Sequence, residues 1–162
     1  EVMGIDADVH LAFGKAQAAA GNAIPTRGTF FVSVKTDDKA AACDLALRLH
    51  GLEFSLIATD GTCAAIRTAG VPWQRVNKVA EGSPHVVDRI RAGWIQGVIN
   101  TTIGRQSLID SHSIRETPVA HGIPYFTTIA AARAAVGAIE GARLKRLIVR
   151  SLQEIHFEQA SR

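Results

Sequence analysis

The chain has 162 residues, 47% of them hydrophobic and 20% charged, with a formal net charge of +3. That length supports one domain with a substantial core, and the modest charge fraction excludes a disordered chain. No Lys/Arg stripe with interleaved aromatics suggests a nucleic-acid surface, and every apolar run is too short to span a membrane.

In chain order, residues 7–20, "ADVHLAFGKAQAAA", read as an Ala-rich helix. The breakers Gly21, Pro25 and Gly28 make the next stretch a linker. "TFFVSV" (29–34) reads as a buried strand, and "TDDKAAACDLALRLHG" (36–51) as a helix capped by Thr36 or Asp37. Its Ala42, Leu45, Ala46 and Leu49 recur at the spacing of one buried face. "FSLIAT" (54–59) is a second strand, "CAAIRTAG" (63–70) a short helix, and "VPWQRVNKV" (71–79) begins as a third extended piece. "SPHVVDRIRAG" (83–93) reads as a helix with Ser83 as cap and Pro84 at its first position. "WIQGVINTT" (94–102) holds a fourth strand, 106–122 is largely helical, and "IPYFTT" (123–128) is a fifth strand. A last helix covers 129–142, and "RLIVRSLQEIH" (146–156) reads as a closing extended segment.

The two cysteines, Cys43 and Cys63, have no metal-ligand spacing and form no disulfide framework; both read as buried small apolar residues of a cytoplasmic protein. No metal site and no signal peptide is expected. The chain opens on Glu1, which reads as a piece excised from a longer polypeptide.

Strands that are near-continuous apolar runs alternate with helices. This is the pattern of an α/β fold, a parallel five-stranded sheet with helices on both faces. Ligands in such folds bind beyond the carboxyl ends of the strands. There the sequence places "SVKTDDK", Thr59-Asp60-Gly61-Thr62, Asn77-Lys78, Asn100-Thr101-Thr102 and Thr127-Thr128. Hydroxyls, helix-start N–H groups and one or two ammonium groups suit a phosphate monoester. Each Thr or Asp taken alone is equally well an ordinary helix cap. Lys39 and Lys78, taken alone, are equally well solvated surface groups.

The stretches "FFVSVKTDDK", "ATDGT", "VNKVAEGSPHVVDRIRAG", "INTTIGR" and "IPYFTT", in this order, resemble the C-terminal allosteric domain of the carbamoyl-phosphate synthase large subunit. "EVMG" at 1–4, "AFGKAQ" at 12–17 and "SLQEIH" at 151–156 extend the resemblance over nearly the whole chain. It implies a methylglyoxal-synthase-like fold. It also implies an organisation in which 1–27 close the preceding ATP-grasp region, 28–140 form the allosteric domain and 141–162 pack on it. By the same resemblance the chain is a regulatory piece without catalytic residues of its own. It would belong to a ligase of pyrimidine and arginine biosynthesis that uses ATP with Mg and works beside a small glutaminase subunit.

The implied effectors are nucleoside monophosphates, UMP as inhibitor and IMP as activator. Their site maps onto Lys39, Thr59, Thr62, Lys78, Asn100, Thr101 and Thr102, with Ser111 nearby. Ornithine contacts map onto Tyr125 and Thr127. The sequence departs from the family pattern at Phe126, where an acid is usual, which argues against ornithine regulation. It departs again at Asp60 and Ile103, where His and Ser are familiar. A carboxylate at 60 beside a phosphate costs affinity unless it points away.

Two enzymes share related folds. A methylglyoxal synthase needs a carboxylate base, and no acid stands at Gly82-Ser83 where one is expected. The cyclohydrolase domain of purine biosynthesis would carry a His-rich run such as "TLHPKxHGG", which the sequence lacks. A plain interaction module without a small ligand is the remaining alternative.

Overall fold

The computed structural model describes residues 2–102, 112–144 and 148–160. Five strands, β1 (Thr29–Ser33), β2 (Ser55–Ala58), β3 (Gln74–Arg75), β4 (Gly97–Asn100) and β5 (Tyr125–Phe126), form one sheet in the order β3-β2-β1-β4-β5. All neighbours are parallel, with Phe30 opposite Leu56 on one side and opposite Gly97 on the other. The described helices are α1 (Val9–Ala19), α2 (Lys39–Gly51), α3 (Asp60–Thr68), α4 (Val86–Arg91), α5 (His112–Ala120), α6 (Ile129–Leu144) and α7 (Leu152–Ala160).

Successive strand residues face opposite ways, so an apolar run such as Phe30-Phe31-Val32 feeds two cores at once. Phe30, Val32, Leu56, Ile99 and Phe126 pack under α2, α3 and α6, the last through Ala132, Ala135, Val136 and Ile139. Phe31, Ile57 and Val98 pack on the other face under Val86, Val87 and Ile90 of α4 and Ile114 of α5. The parallel sheet covered on both faces is thus as expected. Helix α1 lies outside α6, where Gly137 leaves room for the His10 ring: a Cβ there would meet its Nδ1 at 2.6 Å. Arg48 of α2 and Glu140 of α6 join these helices through two hydrogen bonds of 2.9 and 2.7 Å.

Four local expectations are corrected. Helix α2 is not capped by Thr36 or Asp37: residues 36–38 form a 3-10 turn and α2 begins at Lys39, after Asp38. Residues 152–156 are not part of a closing extended piece: Ser151 and Glu154 form a reciprocal cap that starts α7 at Leu152, while 146 and 147 lie outside the described residues. Helix α4 is capped by His85, not Ser83. Residue 85 is held extended beside Asn77, and the Val86 N–H donates to the Asn77 carbonyl, so the helix cannot begin at Pro84. Helix α3 begins at Asp60, earlier than the apolar pattern suggested, which brings Thr62 into its first turn.

Candidate functional site

Strands β1, β2 and β3 step outward in one direction, and β4 returns to the other side of β1. The carboxyl ends of β1 and β4 therefore diverge at a topological switch point, where open α/β sheets hold their ligands. A cavity of about 420 Å³ lies there.

The cavity brings together seven residues singled out from the sequence: Lys39, Thr59, Thr62, Lys78, Asn100, Thr101 and Thr102. Ser111 lies outside the described residues. Thr59, Thr62, Asn100 and Thr101 are buried, and Thr117 is the one other buried polar side chain among the described residues. Burial of polar groups costs free energy unless they are paired, so the partners of these four explain the site.

The hydroxyls do not act as ordinary helix caps. Thr59 occupies the N-cap position of α3, yet its hydroxyl makes no capping bond. It lies 3.3 Å from the Ser33 hydroxyl instead. Thr62 Oγ1 accepts the Val34 N–H at 3.1 Å, and Thr101 Oγ1 accepts the Lys35 N–H at 3.1 Å. Two hydroxyls from two different strand ends thus pin the loop that leaves β1. A hydroxyl that accepts still carries one proton to donate. The Thr62 and Cys63 N–H groups donate to the Thr59 carbonyl, so the open N–H groups at the start of α3 are those of Asp60 and Gly61, and Gly61 lines the cavity.

Charge follows the same design. Lys39 opens α2, Lys78 opens the 3-10 turn Val79–Glu81, and Lys35 adds a third ammonium to the cavity lining. Thr36, read from the sequence as a helix cap, also lines the cavity, and Lys35 stands in "SVKTDDK" at the same strand end. Lys35 is 4.0 Å from Asp38, a loose pairing. No carboxylate lines the cavity among the described residues. Asp60 does not line it: Arg75 Nε donates to Asp60 Oδ1 at 2.6 Å, and this hydrogen bond holds the Asp60 carboxyl below its ordinary titration range.

Tyr125 and Thr127 do not line this cavity. Tyr125 is joined to it indirectly, since Asn100 Nδ2 donates to the Tyr125 hydroxyl at 2.8 Å, and Thr127 is exposed. Phe126 is 4% exposed and packs in the core with Phe30 and Ala132.

A wider concavity of about 800 Å³ opens at the amino ends of the strands. Its guanidinium, Arg89, already donates to Gln74 and stacks on Trp94, which is exposed rather than packed. It has no convergent set of buried hydroxyls, so size alone does not make it the better site.

The family model described as an MGS-like domain matches residues 41–127. The chain belongs to the MGS-like domain family. That match runs from the first turns of α2 to the end of β5 and includes Thr59, Thr62, Lys78 and Asn100 to Thr102. Among curated relatives, the MGS-like chain is 50% identical over 95% of its length to a carbamoyl phosphate synthase large chain from Myxococcus xanthus. It is 46% identical over 96% of its length to a protein from Methanopyrus kandleri described as the C-terminal section of that large chain. It spans only 14% of the first relative and 29% of the second. Among the described residues, no helix is long and apolar enough to cross a membrane.

Proposed function

We propose that this chain is the regulatory section of a carbamoyl-phosphate synthase large subunit and that its switch-point cavity binds a nucleoside monophosphate by the phosphate. The observation that carries the reading is the convergence of buried Thr59, Thr62 and Thr101 with three lysines on a cavity that has no carboxylate among its described lining residues. Hydroxyl protons, helix-start N–H groups and ammonium groups together complement a phosphate dianion. UMP and IMP are the effectors proposed. The lining also includes Val79, Ala80 and Ile114, an apolar side against which a base can lie.

A lyase acting on a phosphorylated sugar is the less well supported reading. Its base must reach the substrate carbons, while among the described acids beside the cavity Asp38 pairs with Lys35, and Asp60 and Glu81 pair with Arg75. The reactions that use ATP with Mg, and the contact with a glutaminase subunit, are assigned to the rest of the larger polypeptide.

The test is amide NMR on the 15N-labelled chain titrated with UMP and with IMP. The reading predicts shifts centred on Lys35, Gly61, Thr62, Lys78 and Thr101. Shifts centred on Trp73, Gln74 and Arg89 would move the ligand to the other end of the sheet and overturn it.

A further inference from the structure

Asp60 stands where an anion site tolerates a carboxylate least. It is the first residue of α3, between Thr59 and Gly61, so it competes with a bound phosphate for the same helix N-terminus and the same ammonium groups. Arg75 answers it from β3, where it pairs in register with Ala58, two residues before Asp60. Its Nε donates to Asp60 at 2.6 Å, and its Nη2 lies 3.5 Å from Glu81 Oε2. That same Glu81 oxygen accepts the Lys78 N–H at 3.0 Å. One guanidinium therefore ties the α3 wall of the cavity to the turn that carries Lys78.

We propose that Arg75 is a positioning residue of this cavity, holding the Asp60 carboxylate off the bound phosphate and leaving Lys78 free to meet it. The proposal rests on the phosphate-site reading above. Asp60 and Arg75 are 58% and 50% exposed, and ion pairs that open to water add little to stability. Their pairing therefore shows in binding rather than in folding. Lys78 already acts on Asp60 as a minor charge beside Arg75. Without the guanidinium, Lys78 is the cation left to Asp60, and the ligand loses it.

The experiment is a double-mutant cycle read by calorimetry with UMP and with IMP, on wild type, Arg75→Gln, Asp60→Asn and the double variant. Arg75→Gln is expected to weaken binding about tenfold with the melting temperature unchanged. Asp60→Asn stays within about twofold of wild type, because its charge is already answered, and the double variant returns to within about twofold. Plain charge counting predicts instead that Asp60→Asn tightens binding as much as Arg75→Gln weakens it. That additive result, with wild type still binding, overturns the role of Arg75 alone. Failure of wild type to bind either nucleotide overturns the site reading, and this proposal with it. A second readout needs no ligand. The 13C titration of the Asp60 carboxyl must move up in Arg75→Gln, and an unmoved midpoint also contradicts the proposal.

Discussion

The Thr62 hydroxyl accepts the buried Val34 N–H across 3.1 Å, so the first turn of α3 fixes the path of the loop leaving β1. A residue proposed to hold a ligand therefore also carries part of the fold. Thr62→Val keeps the shape and strands that N–H in a buried place, at a cost of about 1–3 kcal/mol. Thr62→Ser keeps the oxygen and costs less. Urea denaturation of both variants checks this: equal stabilities would show that the hydroxyl holds nothing.

Among the described residues neither Lys78 nor Lys39 makes an ion pair, so on the proposed reading both are expected to serve the ligand more than the fold. Removing a charge-assisted hydrogen bond costs about 1.5–3 kcal/mol of binding. Lys78→Ala should then weaken UMP or IMP by roughly 10- to 100-fold, with thermal stability unchanged. Affinity unchanged in Lys78→Ala removes that lysine from the site.

Ornithine is expected not to bind this chain on its own. Tyr125 has its hydroxyl engaged by Asn100, and Phe126 turns into the core. An ammonium group buried without an acceptor is costly. Measurable ornithine binding by calorimetry would contradict this. Phe126→Asp is not a clean restoration of the family's acid. It removes a buried ring, at about 3–5 kcal/mol, and adds a carboxylate to the core. A variant as stable as wild type would show that the side chain can turn outward.

The Arg48–Glu140 pair gives stability a pH dependence. The Arg48 hydrogen bond holds the Glu140 carboxyl below its ordinary value. Its stabilisation is therefore fully present above the unfolded value and is lost as pH falls through the folded one. Both side chains are about one third exposed, so solvent screening limits the pair to about 0.5–1 kcal/mol. Glu140→Gln should lower stability by that amount at pH 7 and by less near pH 3. An equal difference at both pH values contradicts the assignment.

The central strands β1, β2 and β4 were legible because each is a short apolar run, whereas the edge strand β3, Gln74–Arg75, is polar and exposed and is placed only by its pairing with β2. That Thr59, Thr62 and Asn100 to Thr102 would come together was legible because they stand at the strand ends, and the structure brings them to one cavity. What the sequence hid were relationships between distant residues. Nothing near Asp60 announces Arg75, fifteen positions on, as its partner. Gly97 reads as a weak point in β4, yet a Cβ there would run into the Phe30 ring of the neighbouring strand. Gly97→Ala should cost about 1–3 kcal/mol. The Ser151–Glu154 cap was present in the sequence, but the apolar "LIV" before it suggested a strand.

The most direct measurement compares UMP and IMP with uridine and inosine by calorimetry on the intact 162-residue chain. If the phosphate is what the threonines and lysines hold, a nucleotide binds and its nucleoside binds at least tenfold more weakly. Equal affinity with and without the phosphate, or no binding of either nucleotide, would contradict the account.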